Sequence, residues 1–224
     1  MPGPISVLHD VTAPYSGFEA WAYDRFVGAV AAERMAQALE PTLAALAPDA
    51  TVLDVGCGGG HQLVQIAGRR PGLRLRGLDL SPAQIARAQL RLRPLGAEAT
   101  VGTALDLPFP DESFDAVISV ASIKHWPDPR RGLTEAVRVL KPGGRLCFTE
   151  VDRGAAIDDA RAFFSALPVP RPLRPLAFPI FRTFVLGQGW DLDEARGLAD
   201  GLRMREVSVA RAPGVPVVGI YGVK

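Results

Sequence analysis

Residues Thr51–Ala67 read TVLDVGCGGGHQLVQIA. The stretch opens as a short β-branched, apolar run (Val52, Leu53, Val55) with one acid inside it, Asp54. It then places four glycines within five residues, Gly56, Gly58, Gly59 and Gly60. A helical pattern follows, with Leu63, Ile66 and Ala67 on one side. This is a strand, a tight turn and the start of a helix. Glycines in such a turn permit dihedrals closed to residues with a Cβ. They also let a ligand lie directly on the backbone beside a helix N-terminus. A glycine loop that only turns the chain is the plainer alternative. The acid inside the strand argues for the ligand role.

Outward from this stretch, strands and helices alternate. Strand one is Thr51–Val55, and its helix runs to about Arg69, ended by Pro71-Gly72. Leu73–Leu80 alternates as strand two. Ser81-Pro82 supplies an N-cap and a proline at N1 for a helix reaching Leu92. Ala99–Ala104 is strand three and Phe114–Ala121 strand four. Pro129–Leu140 is a helix, Pro142-Gly143-Gly144 a turn and Arg145–Val151 strand five. Helices of this length between strands imply parallel pairing with right-handed crossovers. Upstream, Trp21, Phe26, Val30 and Leu39 recur at helical spacing until Pro41, and a short second helix is expected to Leu46. Downstream, residues 168–190 hold five prolines with little periodicity. Asp191–Leu202 follows as a helix, and Met204–Ala210 and Val215–Val223 as two last strands. The pattern divides one domain, residues 1–224, into a helical cap (1–50), a core (51–152), an insert (153–202) and two final strands (203–224).

Composition narrows the function classes. The chain has 224 residues, 48% hydrophobic and 22% charged, with a net charge of +1. That balance gives no bulk field for nucleic acid. Cys57 and Cys147 are the two cysteines, and their spacing suggests neither a metal site nor a disulfide framework. No apolar run is long enough to span a bilayer, and MPGPISVLHD lacks the pattern of a signal peptide. The expectation is a cytoplasmic protein without metal, membrane or nucleic-acid partners. Nothing in the pattern indicates an oligomeric state.

An open parallel sheet binds ligands at the carboxyl ends of its strands. Asp79 falls there, 23 positions after Gly56. A carboxylate at that place can accept hydrogen bonds from both hydroxyls of a ribose. The alternative is a solvated turn acid beside an N-cap serine. Dinucleotide enzymes use G-x-G-x-x-G, but the third glycine position here is His61. The pattern is instead acid-x-G-x-G-x-G, through Asp54, Gly56, Gly58 and Gly60. No G-K-S/T follows, which excludes a P-loop.

With these residues the sequence resembles the class I S-adenosylmethionine-dependent methyltransferases, in the small-molecule branch that includes quinone-biosynthesis methylases. VLDVGCGGG matches the family's first motif and LDLS its second. LDLPFPDESFDAVIS matches the third and fourth, and EAVRVLKPGGRL the helix that follows. The resemblance covers about Thr51 to Glu150. It implies a Rossmann-like, doubly wound α/β sheet of seven strands, mostly parallel with an antiparallel C-terminal strand. An N-terminal helical cap and a lid insert after strand five would complete it. The cofactor would be S-adenosylmethionine, leaving as S-adenosylhomocysteine. Gly56, Cys57 and Gly58 would lie along its methionine part, and Asp54 would support that loop and the ammonium. Asp79 would hold the ribose, Leu80, Ala104 and Leu105 would meet the adenine, and Ser119 and Val120 would face the sulfonium. Thr103 stands where the family usually has an Asp for the adenine amino group, so the charge there is missing.

Methyl transfer is an in-line displacement at a carbon on a sulfonium. The protein chiefly aligns nucleophile, methyl and sulfur. A general base is needed only when the acceptor carries a proton. His125, in SIKHWPD after strand four, is the candidate base. A structural histidine packed on Trp126 is its alternative. Lys124 and Trp126 beside it, with Tyr15 and Trp21 from the cap and Phe181 from the insert, are candidate acceptor contacts. His9 belongs to the same cap. Glu150 and Asp152 end strand five, within reach of an acceptor. His61 opens a helix, where the dipole disfavours its charged form. Phe163, Phe164, Phe178, Phe181, Phe184 and Trp190 would line an apolar lid carrying Arg171, Arg174 and Arg182. The expected partner is a small, hydrophobic or aromatic acceptor methylated at O, N or C, as in secondary metabolism. A nicotinamide-dependent oxidoreductase and a non-catalytic S-adenosylmethionine-binding protein are the alternatives.

Overall fold

The computed structural model describes Trp21 and residues 24–224, the Phe184 side chain excepted. His9 and Tyr15 lie outside the described residues. The first complete α-helix, α1, runs Ala29–Ala44. Strand β1 (Thr51–Val55) leads into α2 (His61–Arg69), β2 (Arg74–Asp79) and α3 (Pro82–Leu92). Then come β3 (Glu98–Val101), β4 (Phe114–Val120), α4 (Pro129–Val139) and β5 (Leu140–Val151). The insert contributes α5 (Ile157–Ala166) and α6 (Arg174–Phe181), and α7 (Leu192–Ala199) precedes β6 (Arg205–Arg211) and β7 (Val217–Val223).

The seven strands form one sheet in the order β3-β2-β1-β4-β5-β7-β6. Strands β1 to β5 pair in parallel, and β7 runs antiparallel between β5 and β6. This is the expected doubly wound sheet with an antiparallel C-terminal strand. The chain reverses its direction of travel between β1 and β4, and the ends of those two strands open the crevice for a ligand. Alternation along the strands divides the core in two. Leu53, Val117, Leu146 and Phe148 pack with α4 and α7 on one face. Val52, Ala116, Ile118 and Cys147 pack with α1, α2 and α3 on the other. A third cluster joins Ala31 and Met35 of α1 to Phe163, Phe164 and Phe181 of the insert. That cluster holds cap and lid together across the carboxyl ends of the strands.

Local chemistry explains three of the helix starts. Ser81 accepts from Gln84 N and Asp128 from Arg131 N, capping α3 and α4. Asp191 and Glu194 form a reciprocal capping box at α7. Three expectations are corrected. Pro41 does not end a helix, because α1 continues through it to Ala44. The donor it lacks would have served Gln37, which is exposed, while Thr42 and Leu43 anchor the last turn in the core. Pro142-Gly143-Gly144 is not a turn before strand five but an irregularity within β5. The register jumps from Phe114↔Leu140 to Ala116↔Arg145, and Gly143 takes φ 78°. The proline-rich insert is also more regular than its sequence suggests. A 3₁₀ turn (Arg171–Leu173), α6 and a π-helical turn (Arg182–Leu186) make one continuous helical path. Pro172 and Pro175 sit in first-turn positions, where the missing N–H is no loss.

Candidate active site

The glycine loop is shaped by its backbone. Gly56, Gly58 and Gly60 have φ of 79°, 51° and 81°. The amides of Gly56 and Cys57 both donate to the Leu78 carbonyl at the end of β2 (2.7 and 3.0 Å). The loop is therefore clamped to the neighbouring strand. A Cβ on Gly56 would fall onto the Ser122 side chain, whose oxygen accepts from Trp126 Nε1 (3.1 Å). Gly56→Ala combines left-handed strain with that collision. It is expected to lower stability by about 2 kcal/mol, read as a lowered urea midpoint. An unchanged midpoint would show that the loop can relax.

Asp79 ends β2 and faces the same loop. Its Oδ2 accepts from Gly58 N and its Oδ1 from Ser81 N, each at 2.9 Å. Burial pushes its pKa up, and the two backbone amides work against that shift. Both oxygens keep lone pairs for a diol. Asp54 is 1% exposed and its Oδ1 has no hydrogen-bond partner. Burial, and then the charge of Asp79, push the Asp54 pKa up to about 8. The side-chain amide of Gln62 and Oε1 of Gln84 are also buried without partners.

Asp54, Gly56, Cys57, Gly58, Gln62, Asp79 and Gln84 line one cavity of about 450 Å³. Buried polar groups left unpaired cost about 1–3 kcal/mol each. Three such side chains on one wall suit a polar ligand such as the amino-acid and ribose parts of S-adenosylmethionine. Leu80, Thr103, Ala104 and Leu105 form the adjoining wall. Thr103 Oγ1 already accepts from Leu105 N (3.2 Å). Asp106 is exposed and does not line the cavity.

The opposite wall is apolar. Val27, Ala31 and Met35 come from the cap, and Phe163, Leu167, Phe181 and Leu186 from the insert. Val120, Lys124, His125 and Trp126 close the space between the two halves. His125 ends a 3₁₀ turn, Ile123–His125, and its amide donates to Ser122 O (2.9 Å). Trp126 stands edge-on to Phe148 with ring centroids 5.6 Å apart, so one ring serves core and cavity. Lys124 is held from behind. Its Nζ is 3.3 Å from Oε1 of Glu150, which is fully buried.

Several expected contacts are not where the sequence suggested. Ser119 is fully buried and does not line the cavity; Val120, the next residue of the strand, does. Successive residues of a strand face opposite ways, so only one of the pair can do so. Trp21 is 48% exposed and stands edge-on to Phe26, outside the cavity wall. Glu150 reaches Lys124 instead of the cavity. Asp152 is paired with Arg211 Nε at 2.5 Å. Phe164, Phe178 and Trp190 pack behind the lid or in the core, not on the cavity surface.

The structure adds a clamp that sequence reasoning missed. Asp24, in a π-helical turn before α1, lies 2.8 Å from His61 Nε2 and 2.9 Å from Arg91 Nη2. Arg91 also donates to the Gly59 carbonyl. Cap, glycine loop and α3 are thereby tied at one point. Burial, followed by Arg91, lowers the His61 pKa against the pull of Asp24. His61 is thus neutral at pH 7 and serves as packing for Gly28, whose Cβ would meet its ring at 2.5 Å. Gln62 and Gln84 were missed as well. Their only sequence signal is a place in the first turn of the helices after the glycine loop and after Asp79.

Known proteins share parts of this sequence and this fold. Residues 53–148 match the family model described as a methyltransferase domain. A 2-methyl-6-phytyl-1,4-hydroquinone methyltransferase from Arabidopsis thaliana is 42% identical over 100 residues, which is 45% of this chain and 30% of that protein. The chain thus matches less than a third of the length of such relatives. A methyltransferase structure from Aquifex aeolicus superposes with TM-score 0.66 at 17% identity, covering 93% of this chain and 98% of the other. Phosphoethanolamine N-methyltransferase 2 of Haemonchus contortus, solved with S-adenosyl-L-methionine, gives 0.63 at 21% identity over 88% of this chain and 43% of that one. Residues 53–148 thus carry the sequence pattern of a methyltransferase domain.

Proposed function

We propose that the protein transfers the methyl group of S-adenosylmethionine to a nucleophilic atom of a small, apolar, aromatic acceptor held beneath the lid. One observation carries this reading. A glycine loop with unpaired polar groups and an apolar chamber walled by Phe163, Phe181 and Trp126 are halves of one cavity. The hydroquinone named for the Arabidopsis relative is an acceptor of this class.

The bound cofactor supplies a methyl group already activated by its positive sulfur. The chain's work is to bind, orient and exclude water. Gly56, Cys57 and Gly58 hold the methionine part by backbone and Asp54 takes its ammonium. Asp79 holds the ribose diol. Leu80, Ala104 and Leu105 enclose the adenine, with the Thr103 hydroxyl at its edge. Val120 marks the sulfonium end. Lys124 and Trp126 position the acceptor with Phe181. His125 would take the acceptor's proton as the methyl group leaves sulfur for the nucleophile, with S-adenosylhomocysteine as the leaving group.

Mixing the protein with S-adenosylmethionine and a panel of hydroxylated aromatic compounds should release S-adenosylhomocysteine. Release from none of them would overturn the acceptor class. With a phenolic acceptor, His125→Ala is expected to lower kcat about a hundredfold at neutral pH. Rate should return as rising pH ionises the acceptor itself, while S-adenosylhomocysteine affinity stays the same. An unaltered pH-rate profile would remove His125 as the base.

A further inference from the structure

The helical path through α6 is apolar on two faces, and only one of them is covered. Phe181 and Leu186 point into the cavity and the lid core. On the other side Leu173, Leu176 and Ile180 are 53%, 74% and 59% exposed. These three are spaced i, i+3 and i+7, which puts them on one face. A helix apolar all round belongs in a buried setting. Among the described residues, nothing covers this face.

Charge indicates what does. Between Asp159 and Asp191 the chain carries Arg161, Arg171, Arg174 and Arg182 and not one acid. The whole chain has a net charge of only +1, so residues 160–190 are a cationic stretch on an otherwise net acidic protein, although Arg161 lies 3.7 Å from Asp158. Arg171 and Arg182 are exposed at the two ends of α6. Arg174 folds back onto the Val169 and Ser165 carbonyls (3.0 and 3.1 Å). An exposed apolar face on a basic segment is what an anionic lipid surface binds, by shallow burial of the apolar side chains and attraction to the headgroups. A second copy of this chain would bring its own arginines against these.

We infer that the outer face of α6 docks the protein on an anionic membrane surface, with Leu173, Leu176 and Ile180 entering the headgroup boundary. This is a surface contact, not a span; no helix among the described residues is long and apolar enough to cross a bilayer. Because the inner face of the same segment walls the apolar chamber, docking would place that chamber beside the lipid. The inference is independent of which acceptor is methylated.

Sedimentation with sucrose-loaded vesicles tests it. The protein should bind vesicles containing phosphatidylglycerol and not those of phosphatidylcholine alone. Each arginine near such a surface strengthens partitioning roughly fivefold, and 1 M salt should remove most of that gain. Leu176→Glu with Ile180→Glu should weaken binding at least tenfold while S-adenosylhomocysteine affinity is unchanged. Should that pair misfold, Arg171→Glu with Arg182→Glu decides instead, with at least a tenfold loss expected. Absence of binding by the unaltered protein, or equal binding by a folded variant, overturns the proposal. So does a dimer that the Leu176→Glu, Ile180→Glu pair dissociates in a protein that ignores vesicles, because the face would then belong to a second copy.

Discussion

Asp79→Ala is expected to weaken S-adenosylhomocysteine binding a hundredfold or more. Two ribose hydroxyls donating to one carboxylate make two charge-assisted hydrogen bonds, each contributing about 1.5–3 kcal/mol. A loss of 3 kcal/mol or more corresponds to over a hundredfold in affinity. The same substitution leaves the amide of Gly58 without the Oδ2 that now accepts from it. Part of the effect is therefore a loosened glycine loop. Asp79→Asn separates the contributions, because its side-chain oxygen can still accept from one donor. The expected loss for Asn is nearer tenfold. Titration calorimetry gives both numbers, and thermal unfolding checks that the sheet is intact. If Asp79→Ala binds S-adenosylhomocysteine within threefold of the unaltered protein, the ribose is held elsewhere.

The parts of this site that were legible in sequence are those whose physics is local. Glycines at 56, 58 and 60 announce a backbone with positive φ, and the structure has it at all three. Asp79 is recognisable because a strand end, an acid and a Ser-Pro helix start occupy four consecutive residues. The clamp at Asp24 has no such signature. Its partners lie 37 and 67 residues away, and only the fold brings them together. The resemblance implies both Ser119 and Val120 as cofactor contacts because its motif marks the end of β4. The phase of alternation was not legible, since both neighbours are small enough to be buried. Glu150 and Lys124 form a buried pair across β5 and the turn after β4, which chain order cannot show. In the insert, five prolines obscured helices that use two of them as first-turn residues.

The clamp ties the cap to the polar wall of the cavity. Asp24 binds the cap to the loop and to α3, so the cap cannot lift without breaking the hydrogen bond to His61 and the ion pair with Arg91 at once. Lid and cap share one apolar cluster, so parting them would expose it to water. Exchange of cofactor for product would then require motion of both, and the unpaired atoms of Asp54, Gln62 and Gln84 would favour the state in which a polar ligand fills the space.

Asp54 should make the protein less stable as pH rises, an effect that Asp54→Asn removes. Its carboxyl titrates near pH 8 in the fold, against an ordinary value of 3.8. Between those values the unfolded chain has released the proton and the folded chain still holds it. Folding stability therefore falls as pH rises through that window. It is unaffected near pH 4 and lowest at pH 8 and above. A shift of this size corresponds to as much as about 6 kcal/mol. Asn is nearly isosteric and does not titrate, so the variant should be the more stable protein at pH 8, by several kcal/mol, and should match the unaltered one near pH 4. His61 and Asp79 also titrate, but they are present in both proteins and cancel in the difference. Saturating S-adenosylhomocysteine should flatten the curve of the unaltered protein, because an ammonium beside Asp54 favours the ionised carboxylate and pulls its pKa down. Urea unfolding at intervals from pH 4 to 8, with and without the ligand, measures all four curves. Parallel curves for the two unliganded proteins would show that Asp54 is not the buried acid described here. Curves that differ without ligand, but do not respond to it, would place the ammonium away from Asp54.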